Sequence, residues 1–249
     1  MNNRYKCTAK PSPHDVRDHI LENIHQSDLV RSKRNILPDK LLLGLNPSRD
    51  QGRRGTCVAC SCSAIKEYQE RIDSNYHGYF SPDSIYFFRS NKHEEGMFLR
   101  EALDLLLKQG ACIEQYFPYN GMVEPTEIPQ EALQNMADFK IKEYAQVKTI
   151  AGLKEALCFY GPCLIAFPVY DGNPEFWRAS SPNAVMNGGH AVTVVGYNER
   201  GFIIRNSWGA DWNQGCPDCP AGCVIYPYDE WGVHWECWST IDEESVTKF

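Results

Sequence analysis

The sequence predicts an α+β chain with two lobes. The first lobe is helical, and the second is built on an antiparallel sheet or partial barrel. Two observations carry this expectation. Apolar residues recur at helical steps between Cys57 and Gly110, and short β-rich runs take over after Gly161-Pro162. Helices grouped before strands, instead of alternating with them, point to segregated layers.

Taken in order, Val58, Cys62, Ile65, Tyr68 and Ile72 repeat at steps of three and four, one apolar stripe of a helix that begins at or near Cys57. Tyr79–Phe88 opens with Ser81-Pro82, a helix start with proline in the first turn. Phe98, Leu99, Ala102, Leu103, Leu105 and Leu106 predict a third helix, with Gly110 as its stop. Tyr116–Asn120 reads as a turn. Thr149–Tyr160 predicts a short helix ended by Gly161-Pro162, and Leu164–Val169, Ala191–Tyr197, Phe202–Arg205 and Cys223–Tyr226 predict strands. The expected division is an N-terminal segment 1–36, then one domain 37–249, with a left lobe of about 37–140 and a right lobe of about 141–249. Residues 1–36 are polar, lack strong periodicity and contain the basic run Arg31–Asn35. They read as an arm packed on the domain or as a short propeptide lying in the cleft.

Composition narrows the function. Of 249 residues, 43% are hydrophobic and 23% charged, which suits a globular protein. The net charge of −7 and pI near 5.5 argue against a general nucleic-acid binder. The sequence contains no apolar run long enough to span a membrane. The first residues, MNNRYKCTAKPSPHD, lack the apolar core of a signal peptide. A reducing, intracellular setting is therefore expected, and Cys112, Cys158 and Cys163 read as free core thiols. A monomer is expected.

Three stretches carry the chemistry: QGRRGTC (Gln51–Cys57), GGHAVTVV (Gly188–Val195) and RNSWG (Arg205–Gly209). A cysteine is a useful nucleophile only as thiolate, and its free pKa of about 8.5 must be lowered. A helix N-terminus favours the anion. His190 as imidazolium would stabilise it and later protonate a leaving amine. Asn206 would orient the imidazole, and Gln51 would offer its side-chain N–H₂ to an oxyanion together with the Cys57 N–H.

In order and local sequence these motifs resemble the papain-like cysteine peptidases, the family of papain and the cathepsins, over roughly Leu37 to Tyr228. The resemblance implies a two-lobed papain-like fold with the active site in the cleft, and a thioester acyl-enzyme on Cys57 acting on protein or peptide substrates, with no cofactor and no catalytic metal. It implies that Trp208 covers the histidine–asparagine bond. It also implies that Gly96, with Met97 and Phe98, meets the substrate, and that Gly188 and Gly189 face the cleft. Three departures stand out. Arg54 occupies the place of a cysteine that commonly forms a disulfide, Val58 replaces a tryptophan, and Gly189 replaces the usual Asp or Asn. Cys60 and Cys62 read as core fillers of the helix. The cluster Cys216, Cys219 and Cys223, which includes a short insertion around Cys216–Ala221, is open to three readings: zinc, a local disulfide or free thiols. A disulfide between Cys7 and Cys57 would describe a latent form. Other functions compatible with the residues are a deubiquitinase or amidase of the same fold, and a catalytically silent binding protein.

Overall fold

The computed structural model describes residues 5–24, 37–170 and 174–242. The basic run Arg31–Asn35 lies outside the described residues. In chain order the elements are α1 (Leu21–Ile24), β1 (Leu41–Leu42), α2 (Cys57–Asp73), α3 (Pro82–Tyr86), α4 (Leu99–Lys108), α5 (Gln130–Met136), β2 (Glu143–Gln146), α6 (Ile150–Phe159), β3 (Cys163–Val169), β4 (Gly188–Tyr197), β5 (Gly201–Arg205), β6 (Cys223–Pro227) and β7 (Glu236–Ile241).

Each predicted helix forms, for the expected local reasons. Pro82 sits in the first turn of α3 behind Ser81. Gly110 closes α4 with φ 86°, a conformation that favours glycine. Thr149 caps α6 by accepting the Gly152 N–H at 2.9 Å.

The strands form one antiparallel, open sheet in the order β2-β7-β3-β4-β5-β6, with β1 added against β4. Side chains of β3 divide by the two-residue period of a strand. Leu164 and Ala166 join the helical core with Ile65, Leu99 and Leu103. Ile165 and Phe167 join the other core with Leu153, Ala156 and Leu157 of α6. The sheet is thus covered on both faces, which explains why β3 is buried at every residue.

Two expectations need correction. The apolar stripe on α2 implies one buried face, yet every residue from Cys57 to Glu70 is buried. The helix is central, and several of its polar groups find partners: Lys66 pairs with Glu70 one turn on at 3.1 Å and with the distant Asp242 at 2.8 Å, and the Gln69 amide donates to the Thr240 hydroxyl at 3.1 Å. Ile72, assigned to the stripe, is 45% exposed because the last turn projects past the body. The sequence reading also missed α1, α5, β1, β2 and β7. β2 is the polar tetrapeptide EYAQ, whose strand character comes from pairing with β7 and not from its own pattern.

Candidate active site

Cys57 is the first residue of α2. Thr56 precedes it but does not cap the helix, because its hydroxyl is engaged with the Tyr119 hydroxyl at 2.5 Å. The first-turn N–H groups are therefore left for the thiol. The main-chain N–H groups of Ala191, Thr8, Val58 and Ala9 all approach Cys57 and would favour an anion there. Burial outweighs them and pushes the thiol above its ordinary value. Cys7, Cys60 and Cys62 are raised too, mainly by burial, the first two to about 12.

His190 lies on β4, opposite Phe167. Its Nε2 is 2.7 Å from Asn206 Oδ1. Oδ1 can only accept, and it also takes the Ser207 N–H at 2.7 Å. That assigns the ring proton to Nε2 and leaves Nδ1 as the basic nitrogen. Nδ1 has no hydrogen-bond partner among the described residues. Trp208 stacks on the imidazole at 4.6 Å and Phe176 meets it edge-on at 5.2 Å. Burial in this aromatic shell lowers the His190 pKa to about 4, against the opposing pull of the Asn206 bond.

Gln51 is held at both ends. Its Oε1 accepts the Ser207 hydroxyl at 2.7 Å, which turns the amide so that Nε2 faces the cleft. Nε2 donates to the Arg54 carbonyl at 3.0 Å and to the Lys6 carbonyl at 3.2 Å. Its main-chain carbonyl accepts the Tyr119 hydroxyl at 2.7 Å.

The N-terminal segment runs along these residues. Tyr5 stacks on Trp208 at 5.1 Å, and its hydroxyl donates to the Trp208 carbonyl at 2.9 Å. The Ala9 N–H donates to Gly189 and the Gly189 N–H to the Cys7 carbonyl, while the Lys10 N–H donates to Met97. Lys6 pairs with Glu95 at 2.8 Å and Lys10 with Glu94 at 2.6 Å. Glycine is required where the segment crosses: a Cβ on Gly96 (φ 87°) would collide with the Thr8 carbonyl, and one on Gly188 (φ 142°) with that of Cys7. The Ala9 side chain sits in the helical core with Cys57, Met97 and Ala191.

The structure thus gathers Gln51, Cys57, His190, Asn206 and Trp208, together with Gly96, Gly188 and Gly189 along the segment. Met97 is buried, and Phe98 is half-buried. Cys7 and Cys57 are both free thiols. Of the three readings for the insertion, the structure has a Cys216–Cys219 disulfide with Cys223 free. Ser207 and Tyr119 were missed as parts of the site, and of Tyr5–Lys10 only Cys7 was singled out. Ser207 was visible inside NSWG, but nothing in its spacing tied it to Gln51.

Residues 39–216 match the papain family cysteine protease family. The chain belongs to that family. It is 25% identical over 188 residues to an uncharacterized peptidase C1-like protein of Acanthamoeba polyphaga mimivirus, covering 66% of this chain and 60% of that protein. It is 27% identical to cathepsin K of Gallus gallus over 68% of this chain and 53% of the relative. Falcipain-3 of Plasmodium falciparum is 26% identical, over 69% and 38%. The chain therefore spans less than two thirds of these curated relatives. Among solved structures, xylellain, a cysteine protease from Xylella fastidiosa, superposes with a TM-score of 0.79 at 26% identity, covering 98% of this chain and 99% of the other. Recombinant stem bromelain precursor gives 0.71 over 98% and 81% at 17% identity, a likeness of fold.

Proposed function

We propose that this papain-family member is a cysteine endopeptidase and that residues 1–36 are a short propeptide holding it latent. The observation that carries the reading is His190, whose Nε2 is fixed by Asn206 while Nδ1 is left unpartnered, with the N–H of the next residue, Ala191, approaching Cys57. In this reading Nδ1 takes the Cys57 proton, and the thiolate attacks the scissile carbonyl. The oxyanion is met by Gln51 Nε2 and the Cys57 N–H. His190 then protonates the leaving amine, and water, activated by the same nitrogen, hydrolyses the thioester. Asn206 orients the ring and transfers no proton.

The N-terminal segment supports latency. It takes the Gln51 amide with the Lys6 carbonyl and leaves both Cys57 and His190 fully buried. Ala9 among Met97 and Ala191 supports some preference for an apolar substrate side chain at that pocket. Met97, Phe98, Gly96, Gly188, Gly189 and Trp208 are the proposed substrate contacts. The enzyme would act as a monomer on proteins or peptides, without cofactor and without binding nucleic acid. The 37–140 and 141–249 lobes remain the proposed division.

The test is labelling with an epoxysuccinyl inhibitor under reducing conditions, in the full chain and in its Ala9→Asp variant, which places a charge in the buried pocket. A single adduct on Cys57, faster in the variant, is expected. Absence of an adduct in both would overturn the reading.

A further inference from the structure

Arg54 stands where relatives commonly carry a disulfide cysteine, and its surroundings are unlike a surface arginine's. It is 5% exposed, and its partner Asp83 is 1% exposed. Its Nη2 lies 2.7 Å from Asp83 Oδ1, an ion pair out of line for a hydrogen bond, and its Nη1 donates to the Asn120 carbonyl at 2.8 Å. The guanidinium lies 5.4 Å from the ring centres of both Tyr86 and Tyr119. Each neighbour leads to the reaction centre. The Arg54 carbonyl accepts from Gln51 Nε2, and the Tyr119 hydroxyl bonds both the Gln51 carbonyl and Thr56. The Tyr86 hydroxyl accepts the Gly96 N–H at 2.9 Å. One planar cation therefore ties the loop holding Gln51 to α3, to the 119–121 turn and, through Tyr86, to Gly96 just before α4.

We infer that Arg54, with Asp83 and Tyr119, is a redox-independent clamp that positions Gln51 and the Cys57 N–H for the oxyanion, replacing the missing disulfide. This rests on the peptidase reading. Arg54 touches no substrate; it is a positioning residue. Lysine would not serve, because a point charge cannot span Asp83, the Asn120 carbonyl and two rings at once.

The test separates the oxyanion from the thiolate, in the full chain carrying Ala9→Asp. Alkylation by iodoacetamide needs a reactive Cys57 but no oxyanion hole; peptide hydrolysis needs both. Arg54→Met and Arg54→Lys are expected to lower kcat about 30- to 100-fold, the scale of an ångström-level misplacement, with KM within about threefold. Cys57 alkylation should stay within about twofold. Tyr119→Phe, which keeps the ring and loses the hydroxyl, should cost about tenfold in kcat, on the scale of one neutral hydrogen bond. Should Arg54→Met fold poorly, the Arg54→Met/Asp83→Leu pair removes the buried charge on both sides. Stability recovered without kcat supports positioning, and recovery of both overturns it. Equal loss of alkylation and kcat would make Arg54 merely structural, and unchanged kcat would also overturn the clamp while leaving the peptidase reading intact. No turnover above a Cys57→Ala control would overturn that reading and the clamp with it. Activity of the Ala9→Asp chain with Arg54 intact should not fall under strong thiol reductant.

Discussion

The two walls of the cleft are held by different physics. On the Cys57 side, Arg54, Asp83, Tyr119 and Thr56 fix the loop through directed polar contacts. On the His190 side, Trp208 and Phe176 cover the ring, with Trp177 packed behind Phe176, and a single amide sets its tautomer. The difference follows the task of each wall. Main-chain donors must point at one place, which needs directional bonds to the loop. A histidine must keep one free nitrogen and stay dry, which needs cover more than partners.

Substitutions across the cleft sharpen this comparison. Cys57→Ala should abolish hydrolysis, by about 10⁴-fold or more, without changing the melting temperature by more than a few degrees; retained turnover would sink the assignment. His190→Ala should cost about 10²- to 10⁴-fold, the range for a general acid–base. Trp208→Ala should act on stability instead, losing about 3 kcal/mol in denaturant unfolding because it empties a stacked site between Tyr5 and His190. A change below about 1 kcal/mol would contradict the role of aromatic cover. Asn206→Ala should be mildest at saturation, about tenfold, since it removes one buried hydrogen bond to the ring.

The smallest expected effect is that of pH. With the N-terminal segment docked, His190 is held at about 4, whereas an imidazole in water titrates near 6.5. In the Cys57→Ala chain, where no thiol can pass its proton to the ring, undocking therefore lets His190 bind a proton that the docked chain refuses. Docking is favoured above about 6.5 and weakens as pH falls towards 4, with no further loss below. Hydrogen exchange at the Ala9 and Lys10 amides of that chain, corrected for intrinsic rate, should reveal more opening at pH 4.5 than at 7. A flat profile would refute it. His234, lowered to about 4 chiefly by burial, weakens the whole fold in the same direction, so the melting temperature must be followed in parallel.

Much of this was legible in the sequence. The helix after Cys57 and the buried strands could be read because periodicity and burial coincide there. Gln51, Cys57, His190 and Asn206 could be read because their neighbours are distinctive. β2 and β7 were illegible because their pairing, not their composition, makes them strands. Arg54 was noticed only as a departure: the family resemblance implies that a cysteine is gone, but not that Asp83 and two tyrosines close around its replacement. The register of Tyr5–Lys10 against Gly96, Gly188 and Gly189 was also hidden, since a polar segment docking through its main chain leaves no apolar pattern.

That docking has a chemical consequence for storage. Peroxide attacks thiolates that solvent can reach. Under the segment, Cys57 is neither reachable nor ionised. In the proposed latent form, a chain with its N-terminus in place would therefore age slowly in an oxidising spell, with the Cys57 sulfur kept reduced under its cover.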